Sequence, residues 1–288
     1  MNWLPIALAT ALLTATSDAL TKAYLKPLGT IKMAIGRVIA PIFFLAPLLF
    51  YTGFPHLDST FWKTLLLLLP LETSALLLYM KALRVSPLSL TLPFLAFTPA
   101  FMILTGALIL GEHLKAAGIA GIMLIVSGSY TLYLPSLRHG LTEPIRAMFR
   151  EQGSILMLAV AFIYSITSVL GKLAIQHSNP TFFASFYFII HGLFATCVLA
   201  LIFRTNPKEV LERCPKGVLF VGLAQSAMVI SHMWAISLAP AAYMIAVKRT
   251  SVLFGVLIGC LFFKEPGLGF RLLGAALMVA GVFLICLG

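Results

Sequence analysis

Apolar runs of about twenty residues, set off by brief polar or Gly/Pro-bearing breaks, fill nearly the whole chain. They lie at 3–22, 32–53, 61–82, 88–110, 115–134, 153–174, 181–203, 217–237, 241–263 and 268–287. A helix needs roughly 20 apolar residues to cross a ~30 Å hydrocarbon core, and these runs have that length. Barrel strands would be about ten residues long and would alternate in polarity. The pattern therefore predicts an all-α membrane protein of ten transmembrane helices.

The pattern also repeats. Residues 72–128 and 225–281 align without a gap at an offset of 153, which matches Met80 to Met233, Pro87 to Pro240, Gly106 to Gly259, Glu112 to Glu265, Gly121 to Gly274 and Gly128 to Gly281. At the amino-terminal end of each copy the offset is 150, matching Ala11 to Ala161 and Lys22 to Lys172. Each copy holds five spans, an odd number, so the second must enter the bilayer in the opposite sense to the first. The expected organisation is two inverted five-helix repeats, 1–134 and 153–288, joined by a linker at 135–152. Inverted repeats of this kind are the usual build of carriers that alternate access to a midplane site.

Composition agrees with a membrane location. Apolar residues make up 60% of the chain and charged residues 10%, at a mean hydropathy of +1.03. A soluble domain carries about 25% charged residues. The net charge of +11 forms no basic domain and so does not indicate a nucleic-acid partner. Its Lys and Arg punctuate the spans: fifteen belong to odd-numbered connections and their flanks, and three (Lys63, Lys115 and Lys172) to even ones. On the positive-inside rule that places both termini outside the cytoplasm.

Pro135 to Gly153 is the longest polar stretch and suits a linker with a short amphipathic surface helix. Gly118, Gly121, Gly255, Gly259, Gly274 and Gly281 offer flat faces for close helix packing. Pro93 and Pro99 should kink the fourth span. Cys197, Cys214, Cys260 and Cys286 show no C-x-x-C spacing and read as packing residues. Residues Met1 to Ala19 lack a basic start and have counterparts in the second copy, which favours a retained helix over a cleaved leader.

Each copy runs from a polar turn through a Pro to an acidic residue and a Gly-rich last span: A-L-R-V-S-P…G-A-L-I-L-G-E-H-L and A-I-S-L-A-P…G-C-L-F-F-K-E-P. This resembles the EamA repeat of the drug/metabolite transporter superfamily. The resemblance implies a ten-helix bundle that carries its substrate near the midplane without ATP hydrolysis, and the chain has no G-x-x-x-x-G-K-[ST] phosphate loop. It also implies cytoplasmic termini, against the charge count.

A charge deep in the bilayer costs about 2.5–3.5 kcal/mol on insertion scales, so each one inside a span asks for a reason. Lys248 and Arg249 lie together in the ninth span, and a carboxylate, phosphate or sulfate is their natural complement. A Lys-Arg pair here is similar to the phosphate-holding pair of the triose-phosphate and nucleotide-sugar branches. Their counterparts in the first copy are Leu95 and Ala96, which counts against a phosphate and leaves an amino acid or small carboxylate open. The bland alternative is a structural pair neutralising Glu72 or Asp18. Glu72 and its counterpart Gln225 form a second polar layer, with Tyr79, Tyr243 and His232 as further substrate-site candidates. Glu72 and Asp18 are the candidate coupling groups, although Asp18 has Lys22 at i+4 as an ordinary helix partner. His191 reads as a helix contact, and Glu112 and Glu265 as structural residues at helix ends.

The favoured expectation is a secondary transporter for a small polar or anionic metabolite, an amino acid or organic acid, with no cofactor or metal and with proton coupling as an option. It would sit in a bacterial inner membrane as a monomer or homodimer. A proton-coupled multidrug exporter is the alternative within transport, opposed by the two cations. A membrane enzyme acting on lipids is the alternative of another class, opposed by the lack of H-E-x-x-H and G-x-S-x-G.

Overall fold

The computed structural model describes residues 3–85, 92–131, 152–251, 253–254 and 268–287. The expected linker helix, Glu265, Lys264 and the Gly255/Gly259 pair lie outside these residues. Every regular element among them is helical. In chain order they are α1 (Trp3–Leu25), α2 (Thr30–Ile39), α3 (Ile42–Thr52), α4 (Ser59–Val85), α5 (Thr98–Leu110), α6 (Ala116–Thr131), α7 (Gln152–Gln176), α8 (Pro180–Phe203), α9 (Lys208–Arg213), α10 (Pro215–Leu238), α11 (Ala241–Lys248) and α12 (Leu268–Leu287). Among the described residues, six stretches are long and apolar enough to cross a membrane: Trp3–Leu25, Thr30–Thr52, Ser59–Tyr79, Gln152–Gln176, Pro180–Phe203 and Pro215–Leu238. Shorter apolar helices stand where the fourth, fifth and tenth spans were expected.

Three spans are less regular than the pattern predicts. The second is interrupted between Ile39 and Ile42, because Pro41 has no N–H to continue the ladder. The fourth opens as a 3-10 stretch, Leu92–Phe97, before turning α-helical at Thr98. The ninth ends its first helix at Lys248 instead of running on unbroken.

The chain divides into two compact units, and the division does not follow the expected repeats. The first unit holds Ala75–Val169 and Ala239–Gly288, and the second holds Asn2–Ser74 and Leu170–Leu238. Each therefore draws helices from both halves of the sequence.

In the first unit the strongest pairing is α6 against α12. A Cβ on Gly121 would stand 2.5 Å from the Gly281 carbonyl oxygen, and one on Gly128 would stand 2.7 Å from that of Gly274. Rising numbers on α6 meet falling numbers on α12, so the two helices are antiparallel. The four glycines are two repeat-related pairs exchanging partners. Lipid supplies no hydrophobic drive between helices, so this approach of backbone to backbone is what holds them.

In the second unit α1 packs along α10, and α8 packs against α2 and α3. Glycines set the spacing here too: Gly192 of α8 lies over the Val38 carbonyl, and Gly222 of α10 over that of Ala40. Both contacts flank the α2–α3 interruption.

Gly121→Ala should destabilise the protein by about 1–3 kcal/mol, because backbone oxygens cannot step aside for a methyl group. Gly171→Ala is the matched control, since its nearest neighbour is a Phe183 ring carbon at 3.7 Å. Thermal unfolding in detergent checks both; the control should be neutral or slightly stabilised, as alanine is the better helix former.

Candidate functional site

In the first unit the two cations sit at a helix break. The α11 helix ends at Lys248, and the following turn carries short i to i+3 bonds, Thr250 N to Val247 O at 3.0 Å and Leu253 N to Thr250 O at 2.8 Å. The Thr250 hydroxyl also donates to the Val247 carbonyl at 2.7 Å, a local bond that competes with the α-helical ladder. The offset of 153 carries Phe97 to Thr250 and Thr98 to Ser251. The 3-10 stretch of the fourth span and the tightened turn of the ninth thus fall at equivalent positions. A run of 3-10 inside a helix often marks a hinge.

One hydrogen bond joins the two breaks. Arg249 Nη2 donates to Thr98 Oγ1 at 2.8 Å, and Thr98 Oγ1 donates to the Leu95 carbonyl at 2.7 Å. Thr98 is fully buried; Lys248 and Arg249 are half-buried. Leu95 is the counterpart of Lys248, so the cation-bearing break of one copy rests on the apolar break of the other. Thr98 was missed by sequence reasoning, because a threonine in an apolar run carries no signal of its own.

Glu112 has a definite task. Both carboxylate oxygens accept from the backbone N–H of Ala241, at 2.9 and 3.2 Å. Pro240 stands at the N-cap position and brings no side-chain acceptor, so a carboxylate from the other copy of the sequence caps α11. Gly111 makes the turn that delivers it, at φ 66° in the left-handed region that suits glycine.

The other first-unit candidates, Tyr243 and Tyr79, both have packed neighbours. The Tyr243 phenol covers Gly118, where any Cβ would overlap its hydroxyl. Tyr79 packs on a cluster formed by Ala75, Ala82, Phe94, Met157 and Val160.

The second unit holds Glu72, Gln225, His232 and Asp18. Gln225 is buried, and its Oε1 accepts from Ser17 Oγ at 2.6 Å. With Thr10 Oγ1 to Ser231 Oγ at 2.9 Å, this gives α1 and α10 a polar seam. His232 is buried on α10. Glu72 is half-buried on α4, two residues beyond Pro70, which leaves the ladder one donor short. Asp18 binds Arg37 Nη2 at 2.6 Å. That partner comes from the next helix, and the side chain of Lys22, the partner expected from helix spacing, lies outside what the structure describes.

Two further cations stand inside helices although the charge pattern assigned them to connections. Arg37 is in α2, and Lys172 is buried in α7. The signal was available, since both lie within the predicted runs 32–53 and 153–174. His191 is buried in a stack with Tyr187, ring centroids 5.7 Å apart, and its Nε2 has no hydrogen-bond partner among the described residues.

Outside the spans, Asp58 caps α4. Its Oδ1 accepts from Phe61 N at 2.9 Å, and its Oδ2 meets His177 Nδ1 at 2.8 Å. The Phe61 amide, helped by His177, holds the Asp58 carboxyl below its ordinary value. Glu209 is lowered in the same sense, first by the hydrogen bond from Lys32. Among the described residues no cluster of His, Cys, Asp and Glu could hold a metal ion.

Several long apolar helices, polar groups gathered at breaks within them and glycine-mediated packing define a multi-pass integral membrane protein. The sequence model of the EamA-like transporter family matches at residues 1–134 and 151–287. The chain belongs to that family. An "Uncharacterized transporter" of Methanothermobacter thermautotrophicus strain Delta H is 29% identical over 187 residues, covering 64% of this chain and 52% of that protein. The match thus spans about half the length of that curated relative. One solved crystal structure is similar in fold, with a TM-score of 0.75 over 100% of this chain and 99% of its own, at 16% identity.

Two predictions follow from the caps. Removing the α11 cap by Glu112→Ala should cost about 1 kcal/mol of local stability, so amide exchange at Ala241–Tyr243 should quicken roughly fivefold. Glu112→Gln keeps one acceptor and should recover part of the protection; exchange unchanged in both variants would count against the cap. Asp58 has a folded pKa below its unfolded one, so its contribution is present above the ordinary carboxylate value and fades as pH falls through the lowered one. Asp58→Ala should therefore lower the melting temperature at neutral pH, with the gap to wild type closing below pH ~4.

Proposed function

We propose that this protein is a secondary transporter for a small anionic or zwitterionic metabolite, an amino acid or organic acid, and that Lys248 and Arg249 hold its anionic group. The observation that carries this reading is the position of the pair. Two cations at a helix break, one bonded through Thr98 to the equivalent break of the other copy, form a polar centre within apolar helices. Substrate sites of inverted-repeat carriers lie at such discontinuities.

In this reading the ten helices form two inverted five-helix repeats, 1–134 and 153–288. The paired family matches and the antiparallel exchange of Gly121, Gly128, Gly274 and Gly281 support it. Alternating access then works by bending at the 3-10 segments, with Glu112 keeping the Lys248 helix in register. Glu72 is the candidate coupling carboxylate, because it is half-buried in a helix weakened at Pro70. The membrane is taken to be a bacterial inner membrane.

The test begins with a thermal-stabilisation screen of amino acids and organic acids on purified protein. Counterflow of the best hit in liposomes follows. Lys248→Gln and Arg249→Gln should each weaken apparent affinity at least tenfold, as expected when a charge-assisted hydrogen bond worth about 1.5–3 kcal/mol is lost. Unchanged affinity in both variants sinks the site. A screen in which only lipophilic cations stabilise the protein favours the multidrug exporter.

A further inference from the structure

One end of the second unit is strongly basic and the other is not. At the basic end the α1–α2 and α8–α10 connections are tied together. Lys32 Nζ meets Glu209 Oε2 at 2.7 Å, Cys214 Sγ donates to the Tyr24 carbonyl at 3.5 Å, and Gly36 lies under Leu25 and the fully buried Val210 of α9. These connections and the helix turns beside them carry Lys22, Lys26, Lys32, Arg204, Lys208, Arg213 and Lys216 against Glu209 and Glu212, a net charge of +5. Glu209 already serves Lys32 and, at 3.2 Å, Arg213. Arg204, Lys208 and Lys216 are exposed. At the opposite end, residues 53–58 and 177–179 contain neither Lys nor Arg, and the adjoining helix turns add two cations, Lys63 and the buried Lys172.

The basic end sits directly on bare apolar surface. Leu201, Ile202 and Phe203, which precede Arg204, are 74%, 60% and 45% exposed, and Leu219 and Phe220, just beyond Lys216, are 52% and 42% exposed. Tyr24 stacks on Phe220 with ring centroids 5.6 Å apart and fixes it there. In a bilayer such side chains meet acyl chains. The surface has two layers, apolar below and cationic above, in the order of a phospholipid that carries a negative headgroup. A zwitterionic lipid would match only the lower layer, and a free phosphate only the upper.

We propose that the Arg204–Lys216 connection and the adjoining ends of α8 and α10 form a docking surface for an anionic phospholipid, and that this end of the unit faces the cytoplasmic leaflet. The Lys32–Glu209–Arg213 network holds α9 flat on that surface. Each exposed cation then contributes about 1 kcal/mol of attraction to an anionic membrane, or roughly fivefold in affinity.

The experiment uses the purified full-length chain in a neutral detergent. Thermal unfolding is followed with added phosphatidylglycerol, phosphatidylcholine or inorganic phosphate, and native mass spectrometry counts retained lipid. Phosphatidylglycerol should raise the melting temperature and be retained; the other two should do neither. The variant Arg204→Gly/Lys208→Gln/Lys216→Gln should keep the wild-type melting temperature without lipid. Glycine is tolerated at residue 204 because its φ is 47°. The variant should lose most of the phosphatidylglycerol shift. If it does not fold, Lys208→Gln and Lys216→Gln alone should each need about fivefold more lipid for the same shift. Equal stabilisation by phosphatidylcholine or by phosphate overturns the proposal, as does a full shift in the charge-depleted variants.

Discussion

A backbone group in the hydrocarbon of a membrane has no water to bond, so each N–H and C=O must find its partner within the protein. Unbroken helices meet this requirement by themselves, and breaks in them do not. In this chain the breaks and ends are where side chains from elsewhere enter. Ser226 Oγ donates to the Pro41 carbonyl at the α2–α3 interruption at 3.2 Å. Thr98 Oγ1 covers the Leu95 carbonyl at the fourth-span break, Glu112 takes the first amide of α11, and Asn179 Oδ1 accepts from Phe182 N at the start of α8 at 2.7 Å. Several polar residues of this apolar sequence thus stand where regular hydrogen bonding stops, the same places where the fold can bend.

The repeat supplies this plan twice but not identically. Gly121 with Gly281, and Gly128 with Gly274, exchange partners as two copies related by a two-fold operation would. A substitution in one member is met by its own image, which leaves little freedom at these positions. At the breaks the copies differ: Leu95 and Ala96 in one, Lys248 and Arg249 in the other. Thr98 and Ser251 keep a hydroxyl in both, and the guanidinium of one copy uses the hydroxyl of the other. At these breaks, architecture follows the shared residues and charge the unshared ones.

Much of this was legible in the sequence because membrane helices obey one-dimensional rules. Length and hydropathy located the six full spans and three shorter helices of the described residues, and the offset of 153 matched the glycines that later met. Tertiary choice was not legible. Helix spacing offered Lys22 to Asp18 and could not announce Arg37, which reaches it from the next helix. Pro93 and Pro99 announced trouble in the fourth span, whereas nothing local announced the turn at Arg249 and Thr250. The cap by Glu112 was hidden for the same reason, its acceptor and donor being far apart in sequence.

The charges on α11 carry the most weight, and magnitudes separate two accounts of them. A carboxylate at the amino end and a lysine in the last turn are what the helix macrodipole favours, and α11 has both, in Glu112 and Lys248. Such an arrangement is worth about 0.3–1 kcal/mol per charge. Lys248 lies about 12 Å along its span, eight residues at 1.5 Å each, and a cation near the bilayer centre costs about 2.5–3.5 kcal/mol. The dipole therefore offsets only part of that cost, and the contacts of the two cations must supply the rest. One of these contacts is the bond from Arg249 Nη2 to Thr98 Oγ1, which joins the two breaks. A neutral hydroxyl is a weaker acceptor than a carboxylate or phosphate oxygen, so this is a bond that an anionic acceptor would outcompete.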